Sequence, residues 1–129
     1  MVHPNSDVSI LLVVEEDINR FILERMASII CAKFDVVLGI DDALKRLEEN
    51  NYQYVIIDMC QVNNAGIFYT RKIRAHSKIK ISSIPVIGLT TQYSKWKAYA
   101  DIAGMNIILS KAIGVKKISQ KIKSYIEAG

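Results

Sequence analysis

Five short apolar runs punctuate the chain, at 10–14, 34–38, 54–57, 85–89 and 107–109, and each is followed by a stretch whose apolar residues recur at helical spacing. Alternation of this kind predicts an α/β domain with a parallel sheet, because parallel strands need a crossover segment between them. The first run, Ile10-Leu11-Leu12-Val13-Val14, is apolar without interruption, which is the pattern of a strand covered on both faces. The stretch after it sets Ile18, Ile22, Met26, Ile29 and Ile30 on one stripe, predicting an amphipathic helix with that stripe inward.

Gly39 breaks the second run, and Asp41 can cap a helix that turns Ala43, Leu44 and Leu47 inward. The third run ends at Asp58. A loop over 59–66 follows it, then a helix over 67–75 with Phe68 and Ile73 toward the sheet, and Ser82-Ser83 marks the next boundary. Pro85 opens the fourth strand, where its missing N–H is tolerated. Ser94 can cap a fourth helix that runs to Ala103 and ends at Gly104. The last helix, 115–126, repeats Val115, Ile118, Ile122 and Ile126 on one face, with lysines between them.

At 129 residues, half of them hydrophobic, the chain can bury one core without metals or disulfides. We divide it into a polar leader at 1–8 and a single domain at 9–127, and expect no output domain within these residues. The longest apolar run is far short of the roughly 18 residues that cross a bilayer, and the polar start lacks a secretory signal, so the expected location is cytoplasmic. Cys31 and Cys60 fall outside any CxxC spacing, so both are expected reduced, Cys31 in the core and Cys60 as a small loop residue. The net charge of +4 collects in Arg71, Lys72, Arg74, Lys78 and Lys80 and again in Lys116, Lys117, Lys121 and Lys123. With no aromatic RNA motif or finger spacing, these read as solvated helix faces that meet an acidic partner, not nucleic acid.

In a parallel sheet all strand C-termini share one edge, where ligands of such folds bind. The residues following the strands therefore form one set: Glu15, Glu16 and Asp17, then Asp58, then Thr90 and Thr91, then Ser110 and Lys111. Clustered carboxylates stay ionised at neutral pH only if a cation offsets them, and hard oxygen donors favour Mg2+ or Mn2+. A lysine and a threonine beside such a metal suit a phosphoryl group. Acids after strands often only cap helices, as Glu16 or Asp17 can do. Asp58 is different, since a loop and not a helix follows it. His3 in the leader and His76 among basic residues lack the acidic or thiol neighbours of a catalytic site.

From Ile10 to Ile126 the chain resembles the receiver domain of two-component response regulators. The resemblance is carried by Ile10-Leu11-Leu12-Val13-Val14-Glu15, Asn19-Arg20, Ile56-Ile57-Asp58 with Gly66 eight residues on, and Thr70-Arg71-Lys72-Ile73-Arg74. It continues through Pro85-Val86-Ile87-Gly88-Leu89-Thr90 and Ala103-Gly104-Met105 to Leu109-Ser110-Lys111. It implies a flavodoxin-like (βα)5 fold whose five-stranded parallel sheet has the order 2-1-3-4-5. It also implies that Asp58 is the phospho-acceptor, Thr90 the hydroxyl that binds the phosphoryl group, and Lys111 its ion-pair partner. The implied metal ligands are Glu15, Glu16, Asp58 and the backbone carbonyl of Cys60.

Some positions depart from the family pattern. Counting back from Asn19-Arg20 puts Val14 and Glu15 where receivers usually carry two aspartates, while a register one residue shorter makes Glu15 and Glu16 the pair. Gln61-Val62 replaces a common Met-Pro, Ala112 replaces a common proline, and Ile108 stands where an aromatic switch residue is expected. The implied function is a phospho-accepting switch and not an enzyme. Its partner would be a histidine kinase or histidine phosphotransfer protein, and a homodimer would form through the fourth helix, fifth strand and fifth helix. The fourth helix carries Tyr93, Trp96 and Tyr99, which can form such a surface. The alternative is a degenerate receiver that binds partners without phosphorylation. An aspartyl phosphatase would want a second aspartate where Cys60 stands, and a nucleotide-binding relative would want a glycine-rich loop that the sequence lacks.

Overall fold

A computed structural model of the chain describes residues 8–14, 17–59 and 65–128, with the backbone alone described at 17–19. Its five strands are β1 (Ser9–Val13), β2 (Lys33–Val37), β3 (Tyr54–Asp58), β4 (Val86–Thr90) and β5 (Ile107–Ser110). All pair in parallel in the order β2-β1-β3-β4-β5, as the sequence pattern and the resemblance led us to expect. The helices are α1 (Asp17–Ile30), α2 (Ile40–Glu49), α3 (Ala65–Arg74), α4 (Ile79–Ser82), α5 (Tyr93–Ala103) and α6 (Val115–Ala128). The one-turn α4, which the sequence reading did not foresee, seats Ile81 in the core and leaves Ile79 in solvent.

Alternate strand residues feed two cores. Ile10, Leu12, Val14, Ile56, Ile87, Leu89 and Leu109 meet α1 and α6 on one face. Leu11, Val13, Val55, Ile57, Val86 and Ile108 meet α2, α3, α4 and α5 on the other. Central strands buried on both faces explain why their sequence runs are apolar throughout and not alternating. Between β1 and β3 the chain reverses the direction in which it adds strands, and Asp58, the last residue of β3, ends beside that switch point, where folds of this kind bind ligands.

Several expected faces are rotated. On α1 the buried row is Leu23, Met26, Ala27 and Ile30, while Ile22 and Ile29 are 36% and 42% exposed. Neighbouring residues on a helix lie about 100° apart, so the two candidate rows adjoin, and the row with the small Ala27 faces the sheet. On α3 the inward residues are Gly66, Ile67, Tyr69, Thr70 and Ile73, and Phe68 is 54% exposed, contrary to expectation. The glycine sets that rotation: a Cβ on Gly66 would lie 2.7 Å from Met59 Cγ, so the helix presses its bare position onto the strand end. Gly66 thus lies within α3 and not in the preceding loop.

Ser94 is not the cap of α5. Gln92 occupies that position, and the Thr90 hydroxyl accepts its backbone N–H at 3.0 Å. Cys31 is half-buried and not in the core. It ends α1 in a Schellman arrangement, with its own N–H bonded to Ser28 O and that of Ala32 to Ala27 O, each at 3.1 Å, and it has the left-handed φ of 66°. His76, expected to lack an acidic neighbour, has its Nε2 3.0 Å from Glu48 Oε2, and its Nδ1 accepts the N–H of Lys78 at 3.0 Å.

At the amino edge of the sheet Arg74, the last residue of α3, reaches across three segments. Its guanidinium donates to the carbonyls of Ser82 (3.0 Å), Ile84 (2.7 Å) and Gly104 (2.8 and 3.0 Å) and to Asn106 Oδ1 (2.8 Å). Asn106 Oδ1 also accepts the N–H of Val86 at 2.9 Å, so one fork ties the entries of β4 and β5 together. Burial pushes the Arg74 pKa below its ordinary value, yet an arginine remains charged at neutral pH.

Two stability measurements follow from these features. Arg74→Lys, whose ammonium cannot reproduce a five-donor planar fork, is expected to lower the unfolding free energy in urea by about 2 kcal/mol or more. Cys31→Gly, which removes a Cβ from a left-handed residue, is expected to raise it by about 0.5–1 kcal/mol, net of glycine's larger backbone entropy. A fall in stability on Cys31→Gly would contradict the left-handed assignment.

Candidate functional site

The carboxyl edge of the sheet carries the chemistry. Asp58 closes β3 opposite Leu89 of β4, and Thr90 closes β4 opposite Ser110 of β5. Both Asp58 and Thr90 are buried, Asp58 completely so. Lys111 opens a single 3-10 turn (Lys111–Ile113) directly after β5. The turn is shaped locally: Ser110 Oγ accepts the N–H of Ala112 at 3.2 Å, and Gly114 closes it with a left-handed φ of 89°. This geometry aims the lysine back over the sheet, where Lys111 Nζ lies 2.6 Å from Asp58 Oδ1 with its side chain 14% exposed.

Thus three of the residues singled out in the sequence stand at the ends of three adjacent strands, and two of them are in direct contact. Adjacent strands lie about 4.8 Å apart, so the ends of β3, β4 and β5 form one continuous rim. Glu15, Glu16 and Cys60 lie outside the described residues. Val14 is described: it is fully buried in the core under α1 and α6, and its N–H bonds Val37 O at 3.0 Å. It is therefore a core residue and not part of the rim.

The backbone beyond Asp58 is held by packing that the sequence reading missed. Met59 is buried, and its N–H bonds Leu89 O at 2.7 Å. Its side chain fills the space above two glycines. A Cβ on Gly88 would lie 2.8 Å from Met59 Sδ and 2.6 Å from Met105 Sδ, and one on Gly66 would meet Met59 Cγ. Both glycines stood within the quoted motifs, but nothing in a linear pattern says that they share one methionine.

The Asp58–Lys111 pair is a buried one, and removing a single partner of such a pair typically costs about 3–5 kcal/mol because a charge is left uncompensated in low dielectric. Lys111→Met should therefore lower stability at neutral pH by about 3 kcal/mol. Asp58→Asn should cost clearly less, since the partly exposed Lys111 ammonium can swing into water. Equal losses in urea titrations of the two variants would contradict this arrangement.

No family model matches the sequence, and no curated protein matches it significantly. Solved structures do match. The receiver domain of a sensor histidine kinase from Pseudomonas aeruginosa, determined with magnesium coordinated in its active-site cleft, superposes with a TM-score of 0.76 at 25% identity, covering 92% of this chain and 95% of its own. The chemotaxis response regulator CheY4 of Vibrio cholerae gives a TM-score of 0.75 at 15% identity, covering 91% and 97%. A match from the co-crystal structure of a Saccharomyces cerevisiae histidine phosphotransfer protein with the receiver domain of its downstream response regulator gives 0.72 at 20% identity, covering 95% and 89%. The chain has the fold of response-regulator receiver domains over nearly its whole length, which bears out the resemblance carried by its motifs. Among the described residues no helix is long and apolar enough to cross a membrane.

Proposed function

We propose that this chain is a phospho-accepting receiver in two-component signalling, modified on Asp58 by a phosphohistidine of a histidine kinase or histidine phosphotransfer protein. The observation that supports it most is the buried Asp58–Lys111 contact at the sheet's switch point, with the Thr90 hydroxyl at the end of the next strand. An aspartate there is a nucleophile held in place by a fixed cation. Attack by its carboxylate oxygen on the phosphorus breaks the P–N bond to histidine and leaves an acyl phosphate on Asp58, with a neutral imidazole as leaving group once it has taken a proton. Lys111 then faces the phosphoryl oxygens, and Thr90 donates its hydroxyl to one of them. The chain is a switch and not an enzyme with turnover, and its expected location is the cytoplasm. A homodimer through α5, β5 and α6 would use the exposed Tyr93 and Tyr99.

The charge count calls for a divalent cation. Asp58 and Lys111 neutralise each other, so an incoming phosphoryl group adds negative charge that the pair cannot offset. Among the described residues no three metal-ligating side chains converge, and Asp58 is the one member of the implied ligand set described there. The set as a whole, Glu15, Glu16, Asp58 and the Cys60 carbonyl, is made of hard oxygen donors and fits Mg2+ or Mn2+. When bound, that ion supplies charge neutralisation at the phosphoryl oxygens.

A second reading, a degenerate receiver that binds partners without phosphorylation, is favoured by Val14, which stands in the core where one register expects an acid. The two readings part in one experiment. With acetyl phosphate and Mg2+, intact mass spectrometry should show the gain of one phosphoryl group, absent in Asp58→Asn and slowed about 100-fold by chelating the metal. No gain under saturating donor would count against the phospho-acceptor reading and favour the degenerate one.

A further inference from the structure

The Thr90 hydroxyl has a neighbour that leads away from the site to the surface. Gln92 gives its backbone N–H to Thr90 Oγ1 at 3.0 Å, and its side-chain Oε1 accepts the indole N–H of Trp96, one turn along α5, at 3.2 Å. Trp96 packs against the core on one side, carries Lys95 Nζ 5.0 Å from its ring centroid, and meets the Tyr99 ring at 5.6 Å between centroids and 54° between planes. Tyr99 is exposed. One glutamine therefore holds the hydroxyl of the site by its backbone and the tryptophan of α5 by its side chain.

We infer that Gln92 and Trp96 transmit the occupancy of the Asp58 site to the Tyr99 face of α5. The inference rests on the phospho-acceptor reading of Asp58 and goes beyond it, because Ile108, buried in β5 and aliphatic, has no ring to rotate. A threonine side chain has three staggered positions. The one that leaves Oγ1 accepting from Gln92 is occupied in this structure, and a change of χ1 that carries the hydroxyl toward a phosphoryl group on β3 withdraws that acceptor. The Gln92 side chain makes no capping hydrogen bond to the backbone of α5. The N–H released at that exposed entry passes to a new partner, water included, and the first turn of α5, no longer tied to β4 by that bond, resettles. Trp96, bonded to the same residue, follows.

The chain contains a single tryptophan, so selectively excited tryptophan emission reads Trp96 alone. The full chain is treated with acetyl phosphate and Mg2+, and emission is recorded beside intact mass. Wild-type emission is expected to change in step with the mass gain and to revert as the acyl phosphate hydrolyses. Gln92→Leu, an exposed substitution whose folding is checked by circular dichroism, is expected to gain mass at the wild-type rate but to lose most of the emission change. Thr90→Val is expected to lose it as well, whatever its rate of modification. Unchanged emission in fully modified wild type, or a full response in modified Gln92→Leu, overturns the relay and leaves the phospho-acceptor reading standing. Absence of any mass gain in wild type removes that reading, and the relay with it.

Discussion

A carboxylate with no exposed surface at the end of the central strand is the constraint around which the carboxyl rim is built. Left alone, such a group would be strongly destabilising or would neutralise itself by taking up a proton. Here its counter-charge comes from two strands away, at 2.6 Å. The span from β3 to β5 is two inter-strand spacings, about 10 Å, so a long side chain has to cross over β4, and the residue that ends β4 must be small. Thr90 meets that requirement. The order β3-β4-β5, the stagger that places Lys111 one residue beyond the β4–β5 ladder, and the Ser110-capped turn are thus parts of one solution.

That solution is neutral as it stands, which gives it its sensitivity. A buried pair of opposite charges is balanced only while each partner keeps its charge. Conversion of a carboxylate to an acyl phosphate, in the reaction proposed, replaces a single negative charge by a larger one on a bulkier group, and the neighbours must rearrange. Besides Lys111 itself, a group able to do so without breaking the sheet is Thr90, at the end of the next strand. Its hydroxyl is engaged outside the ladder with Gln92, whereas its backbone stays in register with Ser110.

Much of this was legible in the sequence. Continuous apolar runs ending in Asp58, Thr90 and Lys111 named the strands and the rim together, because a parallel sheet puts every such end on one edge. The failures were rotational. Ile22 and Phe68 were assigned inward and lie outward, since adjacent apolar rows on a helix are indistinguishable until a partner surface selects one. For α3 that selection is made by Gly66 against Met59, a contact between residues whose sequence spacing carries no sign of it. The cap of α5 was misplaced because Ser94 has a capping side chain and Gln92 does not. The structure instead borrows a hydroxyl from the preceding strand end, which propensity cannot foresee.

The two rims of the sheet are organised by charge in opposite ways. At the amino rim the Arg74 cation is met by dipoles: the carbonyls of Ser82 and Gly104, at the carboxyl ends of α4 and α5, carry the partial negative charge of helix termini. Backbone carbonyls cannot be chemically modified under ordinary conditions, so that rim has one state, and it pins the entries of β4 and β5. At the carboxyl rim the Lys111 cation is met by the Asp58 carboxylate, the side chain whose charge the proposed reaction would change. In the proposed reaction, strands fixed at one end and reset at the other would displace what lies beyond their free ends, and beyond the free end of β4 lie Gln92 and the first turn of α5.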